Sequence, residues 1–167
     1  MQDYICIGVI NEYNRQEVNI KQLMQEVCGK MQSVYQKYNI GLQLQSEDFS
    51  VRVEQDLFER MLYNYLDNAR KASAENGEVR LSAYQTEDGY TIEIADHGIG
   101  MAQEEIGKIE DPFYMIDKAR GRKTEGVGLG MAIAGKIAAA HHGEVRIESI
   151  PKEGTIIRIH FSEDLDY

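Results

Sequence analysis

Asn64, Asn68 and Lys71 follow one another at steps of four and three residues. On a helix that spacing gathers two carboxamides and an ammonium into one narrow arc. A carboxamide oxygen is a hard ligand suited to a Mg²⁺ ion that keeps its waters and phosphates, and an ammonium offers a point charge to phosphate oxygens. The ordinary alternative is a solvated polar face, which surface helices routinely carry. A second chemistry sits at Asp96, which continues the alternation of Tyr90, Ile92 and Ile94. Its carboxylate therefore leaves a strand on the core-facing side, where without a partner it would cost on the order of several kcal/mol. It needs a donor. In Asp96-His97-Gly98-Ile99-Gly100 the glycines let the backbone turn sharply and a flat ligand come close, and an adenine amino group would serve as that donor. An aspartate capping its own turn is the alternative.

The third group is Gly126-Val127-Gly128-Leu129-Gly130, directly before an alanine-rich helix. Glycines opening a helix expose N–H groups at the positive end of its dipole, where phosphate oxygens bind. No GxxxxGK[ST] occurs, and Met131 stands where a dinucleotide fingerprint requires its last glycine. A flexible hinge is the alternative. Just upstream, Lys118, Arg120, Arg122 and Lys123 put four cations into six residues. Beside a phosphate site such a run lowers the cost of gathering a polyanion, with Arg120 the favoured contact; elsewhere it is a solvated charge run.

The elements that must hold these groups are legible in the apolar spacing. Ile20, Leu23, Met24, Val27, Met31, Val34 and Tyr35 mark one face of a helix capped by Asn19. Leu42–Leu44 and Val51–Val53 read as short strands, and Asp56 as the cap of a second helix running to about Ser73. Val79 to Ala83 and Tyr90 to Ile94 form a hairpin around Glu87-Asp88-Gly89, and Val145 to Ile147 and Thr155 to Phe161 a second around Pro151 to Gly154. A third helix covers about Leu129 to His141, after a connection from His97 to Glu125 long enough to be a lid or a binding loop. Helices alternating with hairpins predict an α/β (α+β) two-layer sandwich: a mixed, largely antiparallel sheet with three helices on one face. Residues 1–16 read as a linker or the end of a preceding region, either an edge strand through Tyr4 to Ile10 or a helix tail; residues 17–161 form the domain and 162–167 an acidic tail.

The composition narrows the possibilities. With 167 residues, 43% of them hydrophobic, the chain can bury one substantial core. Cys6 and Cys28 fit free thiols in a reducing cytoplasm better than a disulfide framework. No apolar run approaches a membrane span, so any membrane attachment would come through segments upstream. A net charge of −10 makes nucleic acid a poor partner.

Four motifs now stand in order. Leu62-Tyr-Asn-Tyr-Leu-Asp-Asn-Ala-Arg-Lys71 resembles the N box, Asp96 to Met101 the first glycine box, Asp111-Pro-Phe-Tyr114 the F box and Gly126 to Ile133 the second glycine box. Together they resemble the ATP-binding catalytic domain of sensor histidine kinases, in the GHKL superfamily with its Bergerat fold, over about residues 17 to 161. The resemblance implies ATP and Mg²⁺ as cofactors, with Asn68 the metal ligand, Asn64 and Lys71 on the phosphate side and Asp96 reading the adenine. Gly98 and Gly100 would shape the base pocket, the backbone from Gly126 through Val127, Gly128 and Leu129 to Gly130 would hold the phosphates, and Thr155 would support the adenine end. Ala72 departs from the family, many members of which have an aromatic residue there.

Hydrolytic relatives place a glutamate four residues before the metal-binding Asn; here that residue is Asn64, which cannot take a proton from water. Transfer to a supplied nucleophile is therefore favoured. None of His97, His141, His142 and His160 fits the family's acceptor pattern. The implied activity is γ-phosphate transfer to a histidine on a separate dimerisation domain, and through it to a response regulator, in two-component signal transduction. Two rivals remain: an anti-sigma-factor-type Ser/Thr kinase, and an inactive nucleotide-binding docking module.

Overall fold

The computed structural model describes residues 14–106, 108 and 129–163, and for Leu129 its backbone alone. The edge strand or helix tail expected before residue 14, most of the lid, the F box and the end of the acidic tail lie outside these residues.

The chain enters as β1 (Gln16–Asn19), followed by α1 (Ile20–Lys37), β2 (Gly41–Ser46), β3 (Ser50–Val53) and α2 (Gln55–Ala72). The hairpin of β4 (Glu78–Thr86) and β5 (Gly89–Asp96) comes next, then the one-turn helix α3 (Gln103–Ile106). α4 (Leu129–Ala140) and the hairpin of β6 (Gly143–Ile150) and β7 (Gly154–Ser162) complete it. Five strands make one sheet in the order β2-β4-β5-β7-β6, antiparallel throughout except for the parallel β2–β4 pair. β1 and β3 form a separate two-stranded antiparallel sheet, in which Gln16 pairs with Val53. The sequence reading did not assign a strand to β1.

The core lies between the sheet and helices α1, α2 and α4. Tyr35, Tyr65, Phe58 and Phe161 are its largest fully buried side chains, and Tyr90 stacks on Phe161 at 4.8 Å between ring centroids. Ile92 and Ile94 of β5 and Ile157 and Ile159 of β7 supply the sheet side. The alternation in these strands decides which way Asp96 points, because slipping the register by one residue would turn every inward side chain out.

Asn19 caps α1 as expected, its side chain accepting a hydrogen bond from the Gln22 N–H at 2.8 Å. At α2 the expectation of an Asp56 cap is corrected. The cap position is Glu54, whose side chain makes no capping bond, and Asp56 lies in the first turn. The capping acceptor comes from far along the chain: Nε2 of buried His141 accepts the Glu54 N–H at 3.1 Å, and Nδ1 lies 2.9 Å from the Ile137 carbonyl. Those two contacts fix the neutral tautomer with its proton on Nδ1. Burial lowers the His141 pKa from its ordinary value, consistent with that state.

Candidate functional site

α2 is buried along Phe58, Met61, Leu62, Tyr65, Leu66 and Ala69. Asn64, Asn68 and Lys71 run along the border of that stripe, each half-buried. Asn64 and Asn68 are only partly buried, so their amides reach the surface beside the stripe. A carboxamide carries both donors and acceptors, so a partly exposed pair can meet a ligand. Lys71 Nζ lies 3.2 Å from Asp67, which also binds the buried guanidinium of Arg70 at 2.9 Å. Arg70 in turn sits over the Tyr38 ring at 4.5 Å.

α4 begins against this arc. A Cβ built on Gly130 would lie 3.9 Å from the Cβ, Cγ and Oδ1 of Asn64, in ordinary contact, so the first turn of the helix packs on that amide. The N–H groups opening a twelve-residue helix therefore face the same region as the amide pair. Arg120, Gly126, Val127, Gly128 and the Leu129 side chain lie outside the described residues.

Asp96 ends β5, paired with Thr155 of β7 and Val79 of β4, and is 6% exposed. Its Oδ1 accepts the Gly98 N–H at 2.8 Å. The aspartate does cap its own turn. A carboxylate has about four acceptor positions, however, so the Gly98 donor leaves capacity for a ligand. Burial raises the Asp96 pKa above the ordinary carboxylate value, against the lowering by the Gly98 bond, the Thr155 backbone and the nearby His97.

The glycine loop is clamped from two sides. A Cβ on Gly98 would come within 2.0 Å of the Ala72 carbonyl oxygen, and one on Gly100, whose φ is +67°, within 2.0 Å of the Ile150 oxygen. Ile99 donates to the Ala72 carbonyl at 3.0 Å, which ties the loop to the residue after Lys71. The loop leaves at Met101, whose N–H donates to Ser149 Oγ at 2.7 Å. Ser149 Oγ also lies 2.7 Å from Thr155 Oγ1 and donates to the Gly154 carbonyl at 3.1 Å.

The end of α2, the end of β5, the β6–β7 turn and the start of α4 thus meet around one region. It offers a buried acid and a hydroxyl at one end, and amides, an ammonium and helix N–H groups at the other. Such a layout suits an amino-bearing flat base joined to an anionic tail. For a metal, the donors are amides rather than a cage: no group of three or more His, Cys, Asp or Glu side chains that could hold an ion occurs among the described residues. That composition fits an ion held largely by waters and phosphates.

The sequence reading missed Asp67, although its place four residues before Lys71 is the helix ion-pair spacing. It also missed Ser149, which no local signal marks, since its partner Met101 is 48 residues away. Of the histidines, His97 and His142 are exposed, His141 is buried, and His160 bonds Thr91 at 3.1 Å and Asp88 at 3.2 Å.

The profile of the histidine kinase-, DNA gyrase B- and HSP90-like ATPases matches residues 53–165. The chain is 34% identical over 149 residues to the sensor histidine kinase WalK of Bacillus subtilis, covering 87% of this chain and 24% of WalK. It therefore spans about a quarter of that relative's length. Full-length ShkA, solved in complex with AMPPNP, superposes with a TM-score of 0.83 at 23% identity, over 95% of this chain and 33% of that one. The histidine kinase ThkA, solved with the response regulator TrrA, superposes at 0.74 with 22% identity, over 89% of this chain and 42% of that one. By the extent of the profile match and the ordered boxes of its site, the chain belongs to the histidine kinase-like ATPase family and carries the fold of histidine kinase catalytic domains.

Proposed function

We propose that this domain binds Mg-ATP and passes the γ-phosphate to a histidine on a separate dimerisation domain, from which a response regulator takes it. The observation that carries the reading is the buried Asp96 carboxylate at one end of a region whose other end holds the partly exposed amides of Asn64 and Asn68 beside the start of α4. Asp96, with Gly98 and Gly100 giving a flat ring room, would accept from the adenine amino group, and Thr155 would support that end. Asn68 would hold the metal. Lys71, Asn64 and the N–H groups from Gly126 to Gly130 would take the phosphates, with Arg120 of the basic run closing over them. Mg²⁺ held at Asn68 would supply positive charge against the charge developing at the transferred group.

The protein's share of catalysis is then orientation and electrostatic stabilisation. No carboxylate stands at residue 64 to take a proton from water, which favours a nucleophile supplied in trans over hydrolysis. ATP as the nucleotide agrees with the family's description as ATPases. ShkA's AMPPNP and ThkA's bound response regulator lend the same support to nucleotide and partner. Residues before 17 would connect to the dimerisation region, in the cytoplasmic part of a sensor. Among the described residues no helix is long and apolar enough to cross a membrane.

The test is calorimetric titration with ATP, ADP and GTP, with and without Mg²⁺. ATP should bind and GTP should not compete, and Asn68→Ala should weaken Mg-ATP about tenfold more than metal-free ATP, a difference worth about 1.4 kcal/mol. Equal losses would remove Asn68 from the metal.

A further inference from the structure

Ser149 makes three polar contacts with one hydroxyl. It accepts the Met101 N–H at 2.7 Å, lies 3.1 Å from the Gly154 carbonyl oxygen and 2.7 Å from Thr155 Oγ1. A serine hydroxyl has one proton and two lone pairs. The Gly154 carbonyl can only accept, so it must receive the serine proton. The Met101 N–H takes one lone pair. The contact with Thr155 is then a hydrogen bond only if Thr155 donates into the second. All three contacts are satisfied by this assignment and by no other. Both hydroxyls are buried, Ser149 at 8% and Thr155 at 7% exposure, so water does not offer an easy alternative partner.

The consequence falls on the neighbouring carboxylate. Thr155 is the register partner of Asp96 at the end of β5. With its proton committed to Ser149, the Thr155 hydroxyl offers its other neighbours lone pairs alone, as an ionised Asp96 does.

We propose that Ser149 is a positioning residue for base selection: by holding the Thr155 hydroxyl proton it leaves only acceptors at the Asp96 end of the pocket, which admits a 6-amino purine and turns away a 6-oxo purine. This inference rests on the nucleotide-binding reading given above. Without Ser149, the Thr155 hydroxyl is free to rotate and donate to a 6-oxo group, and the discrimination narrows.

ATP and inosine triphosphate, which differ at the 6-position, are the probes, and their dissociation constants are measured by calorimetry on the whole chain. Ser149→Ala should narrow the preference for ATP over inosine triphosphate by about tenfold, mostly by improving the 6-oxo nucleotide relative to ATP. Thr155→Val should narrow it similarly, and the double variant should narrow it no further than either single change, because both act through one hydroxyl. If Ser149→Ala weakens both nucleotides by the same factor, or the double variant adds the two effects, Ser149 is merely structural and the inference is overturned. Should Ser149→Ala fail to fold, Thr155→Val decides alone: an unchanged ratio in that variant is equally fatal. Failure of the unsubstituted chain to bind ATP at all would instead bring down the nucleotide-binding reading, and the inference with it.

Discussion

A carboxylate sealed into the end of β5 must remain ionised where its surroundings disfavour charge, and that tension sets what Asp96 can do. Burial raises its pKa above the ordinary 3.8, and the Gly98 donor and the Thr155 backbone recover only part of that cost. A pKa raised by folding contributes stability that is fully present below about 3.8 and is lost as pH rises through the folded value. At neutral pH the side chain is therefore a burden on the empty domain, relieved when a ligand brings a further donor. Asp96→Asn removes the charge, so urea denaturation should find the wild type losing ground to the variant as pH is raised from about 4 to 7. A flat difference across that range would mean that the carboxylate is not strained. The same substitution should weaken ATP by about 10- to 100-fold, the worth of a hydrogen bond to a charged group. Gly98 makes a separate point at this scale. Because a Cβ there would meet the Ala72 carbonyl at 2.0 Å, Gly98→Ala must displace the loop from α2. Circular dichroism should report a folded domain with ATP affinity reduced by about tenfold or more, whereas unchanged affinity would place the base away from this loop.

Among the elements, those with strong periodicity were readable from the sequence because local forces specify them. The apolar repeat in α1, the alternation in β4, β5 and β7, and the arc of Asn64, Asn68 and Lys71 need nothing beyond their own segments. What escaped depends on residues distant in the chain. β1 is too short to show alternation and exists because β3 pairs with it. Local preference puts the cap of α2 at Asp56, yet the acceptor that serves the Glu54 N–H is His141, 87 residues later. The Ser149 network is hidden for the same reason. His141 also stacks edge-on against Phe58 at 5.4 Å, so it joins α4 to α2 by packing as well as by its ring nitrogens. His141→Ala should cost about 2–4 kcal/mol, combining a lost cap with a buried cavity. Burial depresses the imidazole's pKa from 6.5, so its stabilisation is complete above about 6.5 and declines as pH falls toward the folded value. Urea midpoints of wild type and His141→Ala should therefore converge between about pH 7.5 and 5, and a constant gap would show that the ring does not titrate on unfolding.

At the scale of the whole molecule, the histidines among the described residues offer a transferred phosphoryl group little. His141 is buried with both ring nitrogens engaged, and His160 is held between Thr91 and Asp88. His97 and His142 are exposed, and in the proposed binding mode His97, directly after Asp96 in the glycine loop, would lie at the base end of the nucleotide and not at its phosphates. The γ-phosphate would then leave the domain for a partner; transfer itself separates a kinase from an inactive binding module, and the chemistry of the acceptor separates a histidine kinase from a serine-directed relative. Incubated alone with labelled ATP, the chain should take up no label. Mixed with a helical hairpin carrying an acceptor histidine, it should transfer label to the hairpin, and mild acid should then release it, because phosphohistidine is acid-labile and phosphoserine is not. Acid-stable label would point to a hydroxyl acceptor, and label on this chain's own histidines would contradict the reading that the acceptor lies on a separate domain. No transfer to any hairpin, with ATP still bound, would reduce the domain to a nucleotide-dependent docking module.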